Sequence, residues 1–380
     1  MKKSFIFLSL LFAITLAAFP QACAAAAKEG LELFLYVVLP SLLPFFIASS
    51  LLLSTGVLHT LSRYMQPLMR PLFRCPGDSA YVFALSIVSG YPLGAKLTAQ
   101  LVEDGRLSVD EALRTLSFSS TSGPLFVLGA VATGMLNSPG YGLILLLSHY
   151  AGAILTGLFY RLLPAKKPSA KVNAPLPPPP ASLPMGTQLK NAVADSIKTI
   201  WMVGGYIILF CVLLEILSFT GTLGFLGTLL TPLFRLLGFS ESLSTPFLSA
   251  LVEITAGCKA ISQASAPLLQ KVILCCGAIS WSGLAIHSQA TAFLSSAKIP
   301  PAPYIAQKAL HGAFSVVVCI LLAHILPVQQ STFVFQNIQP AFFARLLHAI
   351  YYLGICLLII IILCVAGIIK QKARKKTKAG

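Results

Sequence analysis

The residues of this sequence that could do chemistry stand in two short polar runs inside otherwise apolar stretches. The first run is SGYPLGAK, from Ser89 to Lys96, and the second is EITAGCK, from Glu253 to Lys259. A charged side chain at the centre of a bilayer costs at least about 2.5–3.5 kcal/mol, so it should face a cavity or a partner. Glu253 could pair with Lys259, bind a cation or a proton, or accept hydrogen bonds from a polar solute. Lys96 and Lys259 could instead snorkel toward the membrane surface.

Helix-breaking residues accompany these charges. Gly90, Pro92, Gly94 and Gly257 should interrupt a helix and free backbone N–H groups at the start of the next one. Such N–H groups attract anionic or electronegative ligand atoms, although the same residues also suit a tight turn without a ligand. Tyr91 could stack on a planar ligand or serve as an interfacial aromatic residue.

A patch of small hydroxyl residues follows each run. Ser119–Gly123 opens one apolar stretch, and Ser280–Gly283 with His287 occupies the corresponding place in another. Hydroxyl residues can simply join helices, but the recurrence of Ser-Gly favours a lined cavity. His287 could relay a proton, bind a solute or pack in the core. The predicted solute-binding residues are Gly90, Tyr91, Pro92, Gly94, Lys96, Ser119, Ser122, Gly123, Glu253, Thr255, Gly257, Lys259, Ser282, Gly283 and His287.

No enzyme, cofactor or metal signature accompanies these residues. The sequence has no HExxH, GxGxxG, Walker or GxSxG motif. The nine cysteines form no CxxC pair and the histidines show no ligand spacing, so we expect the cysteines to be small buried hydrophobes. We therefore predict a protein that is not an enzyme and holds no metal or cofactor.

Composition indicates an all-α polytopic membrane protein. Hydrophobic residues make up 56% of the 380 positions and charged residues only 10%, against about 25% charged in soluble domains. The apolar stretches approach the roughly 20 residues that a spanning helix needs. With the N-terminal run at 5–19 they predict about eight transmembrane helices, the others lying near 33–54, 114–135, 141–162, 197–219, 271–295, 305–327 and 346–369.

The basic residues predict the orientation. Clusters at 2–3, 63–74, 161–171 and 370–378 hold fifteen of the 27 basic residues, and basic residues favour the cytoplasmic side. All four clusters share one side only if the two interrupted segments, near 80–101 and 245–265, enter and leave the membrane on the same face. We therefore predict two re-entrant hairpins and cytoplasmic N- and C-termini. The net charge of +16 is explained by a basic cytoplasmic face that lies near anionic lipid. We expect no nucleic-acid partner.

An internal repeat organises the chain. Pro71-Leu72-Phe73-Arg74 recurs at Pro232–Arg235, Gly94-Ala95-Lys96 at Gly257–Lys259, and Ser122-Gly123 at Ser282-Gly283, with offsets of 161, 163 and 160. Each copy contains three crossings and a hairpin, so the second copy should be inverted relative to the first. Inverted repeats with broken segments meeting near the midplane are typical of secondary transporters.

The repeat sets the predicted domain boundaries. Residues 1–30 form either an N-terminal span or a cleaved signal-like segment, with the uncleaved span preferred. A proline-rich cytoplasmic linker, with Pro177–Pro180 at its centre, separates the repeats. The predicted divisions are 1–30, repeat one at 31–163, the linker at 164–195, repeat two at 196–328, and a C-terminal span with a basic cytoplasmic tail at 329–380.

Several of these runs carry a family resemblance. Val38–Gly56, SGYPLGAK, Phe118–Val131, EITAGCKAIS and SWSGLAIHSQ resemble the YlbJ-type sporulation integral membrane proteins, over about residues 31–330. That type falls within the nucleoside recognition or Gate-domain membrane proteins, a group similar to concentrative nucleoside transporters and to ferrous-iron transporters of the FeoB type. The resemblance implies Gate-like repeats with hairpins, and a cell-membrane protein of an endospore-forming bacterium that is needed for the spore cortex.

These features favour a secondary transporter or permease of a small polar solute, either nucleoside-like or related to the cell wall, with a coupling ion. A non-transporting protein that organises a sporulation membrane complex remains an alternative, as does, less favoured, a membrane enzyme acting on a cell-wall precursor. The expected partners are the lipid bilayer and either further copies of the chain or other sporulation membrane proteins.

Overall fold

The computed structural model describes residues 2–54, 57–163 and 184–326, and these residues fold almost entirely into helices, with no strand among them. The first half contains α1 (Lys2–Ala18), α2 (Pro20–Leu33), α3 (Leu39–Ser54), α4 (Val57–Phe73), α5 (Asp78–Ser89), α6 (Leu93–Glu103), α7 (Val109–Ser119), a π-helix (Phe126–Met135) and α8 (Gly142–Leu162). The second half contains α9 (Met185–Phe219), α10 (Thr222–Leu236), α11 (Ser244–Val252), α12 (Ile254–Gln263), α13 (Leu268–Trp281), α14 (Gly283–Ser296) and α15 (Pro301–Ile325).

Four helical stretches in the described residues are long and apolar enough to cross a bilayer: Pro139–Leu162, Met185–Phe219, Leu268–Ser296 and Pro301–Ile325. A fifth crossing is available if Ser9–Ala18 and Pro20–Val38, which meet at an angle of 105°, act together. The protein is thus an all-helical membrane protein with four to five apolar spans in its described part. The predicted span at 346–369, the basic tail and linker residues 164–183 lie outside the described residues, and the chain is helical again from Met185.

Two predicted spans are each divided in two. The stretch predicted at 114–135 consists of α7 and the π-helix, separated by the non-helical residues 120–123. Pro124 follows this break, and proline lacks the N–H that would continue the ladder of α7. The stretch predicted at 271–295 consists of α13 and α14, which meet at Ser282 with φ of +82°.

Two hairpins are each formed by a pair of short helices. The first hairpin is α5 with α6 and the second is α11 with α12, and each helix has 9 to 12 residues. At 1.5 Å per residue, none of the four helices is long enough to cross a hydrocarbon core of about 30 Å. The Tyr91–Pro92 peptide bond in the turn of the first hairpin is cis.

The open end of each hairpin is tied together. Arg106 Nη2 lies 2.6 Å from Asp78 Oδ1, joining the end of the first hairpin to its beginning. The Ser242 hydroxyl donates to the carbonyl of Ser265 at 2.9 Å and does the same for the second hairpin. Each hairpin therefore begins and ends at one place in the fold.

The two halves follow the same order of elements. Two helices, a hairpin, a broken helix and a final apolar helix occur in α3–α8 and again in α9–α15. The halves pack on each other, because α2 and α3 contact α9 and α8 contacts α15. The largest buried apolar cluster also joins both halves, with Val127 and Leu145 from the first and Ile254 and Ile279 from the second.

Candidate functional site

The turns of both hairpins meet at one cavity of about 60 Å³. The first turn contributes Ser89, Gly90 and Tyr91, and the second contributes Glu253, Ile254 and Thr255. The remaining wall comes from the first broken helix, from α3 and the residue before it, and from α9 and α14. Its residues are Ser122, Gly123, Phe126, Val38, Leu42, Phe46, Val203, Tyr206, Ile207, Ala285, Ile286 and Gln289. The cavity is thus mainly apolar, with a few convergent polar groups, as small-molecule sites commonly are.

Each hairpin turn packs against a Ser-Gly break in the same half of the chain. A Cβ atom on Gly90, whose φ is +76°, would collide with the backbone N of Gly123. In the second half, a Cβ atom on Gly283 would lie 3.1 Å from Ile254 N and 3.2 Å from Val252 O. A side chain is therefore excluded at Gly90 and disfavoured at Gly283, whose φ is +75°, and each contact places a hairpin turn beside an interrupted helix.

Glu253 supplies the carboxyl group of the cavity. Its side chain caps α12 by accepting a hydrogen bond of 2.6 Å from Ala256 N, and the residue is 1% exposed. A carboxylate is favoured at a helix N-terminus because the N–H groups there have no helical partner. The cap uses Oε2, and the carboxyl group also lines the cavity, where it could take a proton, a cation or a donor group of a solute.

Six of the predicted site residues line the cavity, and the remaining nine lie elsewhere. The lining residues are Gly90, Tyr91, Ser122, Gly123, Glu253 and Thr255. Pro92 and Gly94 are buried in the first hairpin, and a Cβ atom on Gly94 would collide with the carbonyl of Ser119. A Cβ atom on Gly257 would collide with the backbone of Ala250, so this glycine lets α11 and α12 pack closely.

The two predicted lysines lie apart from the cavity. Lys96 is exposed, and Lys259 Nζ lies 3.0 Å from Glu29 Oε1 rather than beside Glu253. Lys259 lines a second, more open cavity with Glu32, Tyr36 and Gln263. The structure thus separates Glu253 from the lysine with which the sequence could pair it.

The remaining predicted residues lie behind the cavity wall. The Ser119 hydroxyl donates to the carbonyl of Thr115 at 2.7 Å, and Ser282 occupies the turn between α13 and α14. His287 is 3% exposed, with its ring centroid 4.4 Å from that of Trp281 and 5.6 Å from that of Tyr304. These three residues support the elements that form the cavity.

A buried polar network next to the cavity was not predicted from the sequence. It centres on Lys308 and His311 of α15, which are 2% and 1% exposed. Lys308 Nζ donates to the Ser120 carbonyl at 2.7 Å and lies 3.0 Å from His311 Nδ1. The sequence signal was a lysine and a histidine three positions apart in an apolar stretch, which places both on one helix face.

His149 of α8 extends this network to both broken helices. Its Nε2 accepts from Ser122 N at 2.8 Å, and its Nδ1 lies 2.8 Å from Ser280 Oγ. His311 Nε2 donates to the carbonyl of His149 at 2.8 Å. One histidine therefore connects the first break, the second broken helix and α15.

These contacts determine how the imidazoles are protonated. Because Nε2 of His149 accepts a backbone N–H, its proton is on Nδ1 and the ring is neutral. Because Nε2 of His311 donates to a carbonyl, its Nδ1 is free to accept from Lys308. Two unit charges 3.0 Å apart would repel by roughly 5 kcal/mol even at an effective dielectric constant of about 20, so Lys308 and His311 are not both cationic.

Two residues of the cavity wall touch this network. The ammonium of Lys308 lies 5.8 Å from the centroid of the Tyr91 ring, within the range of a cation–π interaction. Ser122, which lines the cavity, donates its N–H to His149. A displacement of Tyr91 or of Ser122 in the cavity wall would therefore alter the contacts of Lys308 or of His149.

Metal ligands do not cluster around these groups. Among the residues that the structure describes, no three His, Cys, Asp or Glu side chains are grouped as a metal ion would require. The seven cysteines in the described ranges are all buried and free, as expected for small hydrophobic residues.

Comparison with known proteins identifies the family. The family model described as nucleoside recognition (Gate) matches residues 35–139 and 200–325, which include both hairpins, both broken helices and α15. The chain belongs to the nucleoside recognition (Gate) family. It is 36% identical over 328 residues to the sporulation integral membrane protein YlbJ of Bacillus subtilis (strain 168), covering 82% of this chain and 80% of that protein. The Gate-family chain is therefore of the YlbJ sporulation type that its sequence resembles.

Solved structures of CNTnw share the fold of this Gate-family chain. CNTnw in an inward-facing substrate-bound state matches with a TM-score of 0.52 at 15% identity, over 85% of each chain. A CNTnw variant in an outward-facing state gives 0.51 at 15% identity, over 83% of this chain and 87% of that one. A variant in an intermediate state gives 0.54 at 15% identity, over 84% of each. The likeness is to the fold and not to one state of it.

Proposed function

We propose that this protein is a secondary transporter of a small polar solute, and that the solute passes between the turns of the two hairpins. The observation that carries the proposal is that Gly90 and Tyr91 of one turn and Glu253 and Thr255 of the other line the same cavity. Non-helical backbone at membrane depth is tolerated where it lines a cavity or is buried in protein. The solute class that fits the family and the sporulation relative is a nucleoside or a cell-wall-related compound.

The hairpins are re-entrant and the repeats inverted in this proposal. Helices of 9 to 12 residues that are tied at their open ends support hairpins that enter and leave on one face. The recurring order of elements supports a repeat, and three crossings per copy invert the second one. With the basic clusters inside, the two hairpins approach the cavity from opposite faces of the cell membrane, and both termini are cytoplasmic.

The size of the cavity requires movement during transport. Its volume of about 60 Å³ is well below the roughly 300–1,000 Å³ of typical small-molecule pockets. A solute of nucleoside size therefore needs the hairpin turns to separate. Fold likeness to CNTnw in inward-facing, intermediate and outward-facing states supports such a movement, which would deliver solute for building the spore cortex.

Uptake into proteoliposomes tests the proposal. Purified protein is reconstituted and offered radiolabelled uridine, adenosine and N-acetylglucosamine, with empty liposomes as the blank. The test variant is Glu253→Gln, which keeps an oxygen to cap α12 but removes the carboxylate. The matched control is Glu241→Gln, because Glu241 is exposed and forms an ion pair with Arg235.

We expect saturable uptake of at least one probe by the wild type and by Glu241→Gln, and loss of at least tenfold for Glu253→Gln. Equal uptake by Glu253→Gln and the wild type would contradict the proposal that the solute passes through the cavity beside Glu253. If no probe enters and none raises the melting temperature of the protein, the alternative of a protein that organises a sporulation membrane complex is favoured instead.

A further inference from the structure

Lys308 is a buried basic residue that has no part in the solute pathway proposed above. It is 2% exposed, it lies on α15 within an apolar helix of 25 residues, and it does not line the cavity. A lysine in such a place is expected to have a partner of opposite charge or a function of its own.

No Asp or Glu side chain in the described ranges pairs with Lys308. The chain contains 11 Asp and Glu residues, all of which lie in the described ranges, and none of their side chains forms an ion pair with Lys308. Its contacts are instead the Ser120 carbonyl, His311 Nδ1 and the face of the Tyr91 ring. Lys308 therefore contacts neutral acceptors, whereas a buried lysine with a purely structural role would normally pair with a carboxylate.

The groups facing the pair add no negative charge. Among the described elements, α7, α8, α13 and α14 make the main contacts with α15. Arg114 of α7 is turned to the carbonyls of Tyr160 and Leu163. The other titratable groups around the pair are His149 and Tyr150 of α8, Cys276 of α13, His287 of α14, Tyr304 of α15 and Tyr91 of the first hairpin.

The geometry points to Lys308 and His311 as a proton-binding site that holds one exchangeable proton and couples it to the cavity through Tyr91 and Ser122. This inference rests on the proposed transport function and names its coupling ion. The site takes up its proton from water and returns it to water. Within the pair, an N–H bond of the Lys308 ammonium breaks as the Nδ1–H bond of His311 forms.

That internal transfer leaves the surrounding bonds in place. After it, Lys308 is a neutral amine that can accept from His311 Nδ1–H, and His311 is an imidazolium that still donates from Nε2 to the His149 carbonyl. Release of the proton leaves both groups neutral, so the pair alternates between one positive charge and none. Loss of the charge on Lys308 weakens its cation–π interaction with Tyr91, so the protonation state of the pair affects the first hairpin turn.

Proton binding is tested without any solute by solid-state NMR. Protein with ¹⁵N-labelled lysine and histidine side chains is titrated in bilayers between about pH 5 and pH 10, and the Lys308 and His311 signals are assigned by their loss in Lys308→Met and His311→Gln. We expect one proton to leave the pair within this range. An ammonium at Lys308 and a neutral His311 throughout the titration would overturn the inference.

Coupling is tested with and without an alkaline-inside pH gradient, by uptake of whichever of the three probes (uridine, adenosine and N-acetylglucosamine) the wild type takes up. We expect the gradient to raise wild-type uptake at least tenfold. Lys308→Met and His311→Gln should lose this stimulation yet keep exchange of solute without a gradient. Lys271→Met is the matched control, because Lys271 also donates to a carbonyl, that of Ser262 at 2.8 Å, but lies outside the network.

The two failures are distinguishable. Uptake that ignores the pH gradient in the wild type, or that responds to it equally in Lys308→Met, overturns the proton site and leaves the transport proposal standing. Absence of uptake of every probe counts against the transport proposal, and the NMR titration then decides alone whether the pair binds a proton.

Discussion

The Tyr91 hydroxyl donates a hydrogen bond of 3.1 Å to the carbonyl of Ile279 and thereby joins the first hairpin to α13 of the second half. Ile279 lies three residues before Ser282, where α13 ends. The turn of the first hairpin, which lines the cavity, is thus attached to the broken helix of the other half. If the first hairpin moves, either this hydrogen bond breaks or α13 moves together with the hairpin.

Tyr91→Phe should weaken this attachment without changing the shape of the ring. Loss of the hydroxyl leaves the Ile279 carbonyl without this donor, and a buried acceptor left unsatisfied costs about 1–3 kcal/mol. We expect a lower melting temperature in detergent and faster solute exchange across the membrane. Tyr64→Phe is the control, because Tyr64 is 77% exposed; equal melting temperatures for the two variants would contradict the structural role.

The ion pair at the base of the first hairpin should contribute strongly to stability. Asp78 and Arg106 are joined at 2.6 Å with side chains only 10% and 14% exposed, and removing one partner of a buried pair costs about 3–5 kcal/mol. Asp78→Asn should therefore lower the melting temperature markedly. Glu241→Gln breaks a pair of equal length that is 53% and 73% exposed, where about 0–1 kcal/mol is expected. Similar losses for both variants would contradict the tied hairpin.

Close packing within the second hairpin should depend on Gly257. Alanine there would place its Cβ atom against the backbone of Ala250, and overpacking typically costs about 1–3 kcal/mol. Gly224→Ala is the control, since no heavy atom lies within 4 Å of a Cβ at that site. Thermal unfolding should show Gly257→Ala destabilised and Gly224→Ala unchanged or slightly stabilised, as expected for alanine in a helix.

The re-entrant hairpins and inverted repeats predict which residues share a face of the membrane. In a protein without native cysteines, Arg74→Cys and Asp104→Cys flank the first hairpin, and Glu241→Cys and Ser265→Cys flank the second; all four positions are exposed. An impermeant thiol reagent should label the first pair from the cytoplasm and the second pair from outside. Labelling of residues 74 and 104 from opposite faces would show that the first hairpin crosses the membrane.

The sequence predicted the hairpins because glycine and proline punctuate them. Gly90 and Pro92 interrupt one apolar stretch, and the Glu253–Gly257 run interrupts the other, so both turns of the cavity could be found from local signals. The breaks at Ser122 and Ser282 carried the same kind of signal, in Pro124 and in the Ser-Gly pairs, but apolar length alone does not locate them. The stretch Leu268–Ser296 remains long and apolar enough to cross a bilayer despite its break, whereas the first broken helix is divided into the shorter α7 and Phe126–Met135.

The buried network could not be found in the same way. His149 stands alone in an apolar run, and its partners Ser122, Ser280 and His311 are 27, 131 and 162 positions away. Only tertiary packing brings His149 to these partners, so no spacing in the sequence marks their contacts. Lys308 and His311, three positions apart, are the one part of the network with a local signal. The pairing of Lys259 with Glu29, 230 positions away, escaped prediction for the same reason, whereas Glu253 was the nearer carboxylate in sequence.

Passage of a solute between the hairpin turns is tested most directly by the accessibility of Ser89, which lines the cavity from the first turn. A Ser89→Cys variant without other cysteines is exposed to an impermeant thiol reagent in right-side-out and in inside-out vesicles, with Asp104→Cys as the one-sided control. Transport through this cavity predicts labelling of Ser89→Cys from both sides and of Asp104→Cys from one. Labelling of Ser89→Cys from a single side, or from neither, while the control reacts would contradict it.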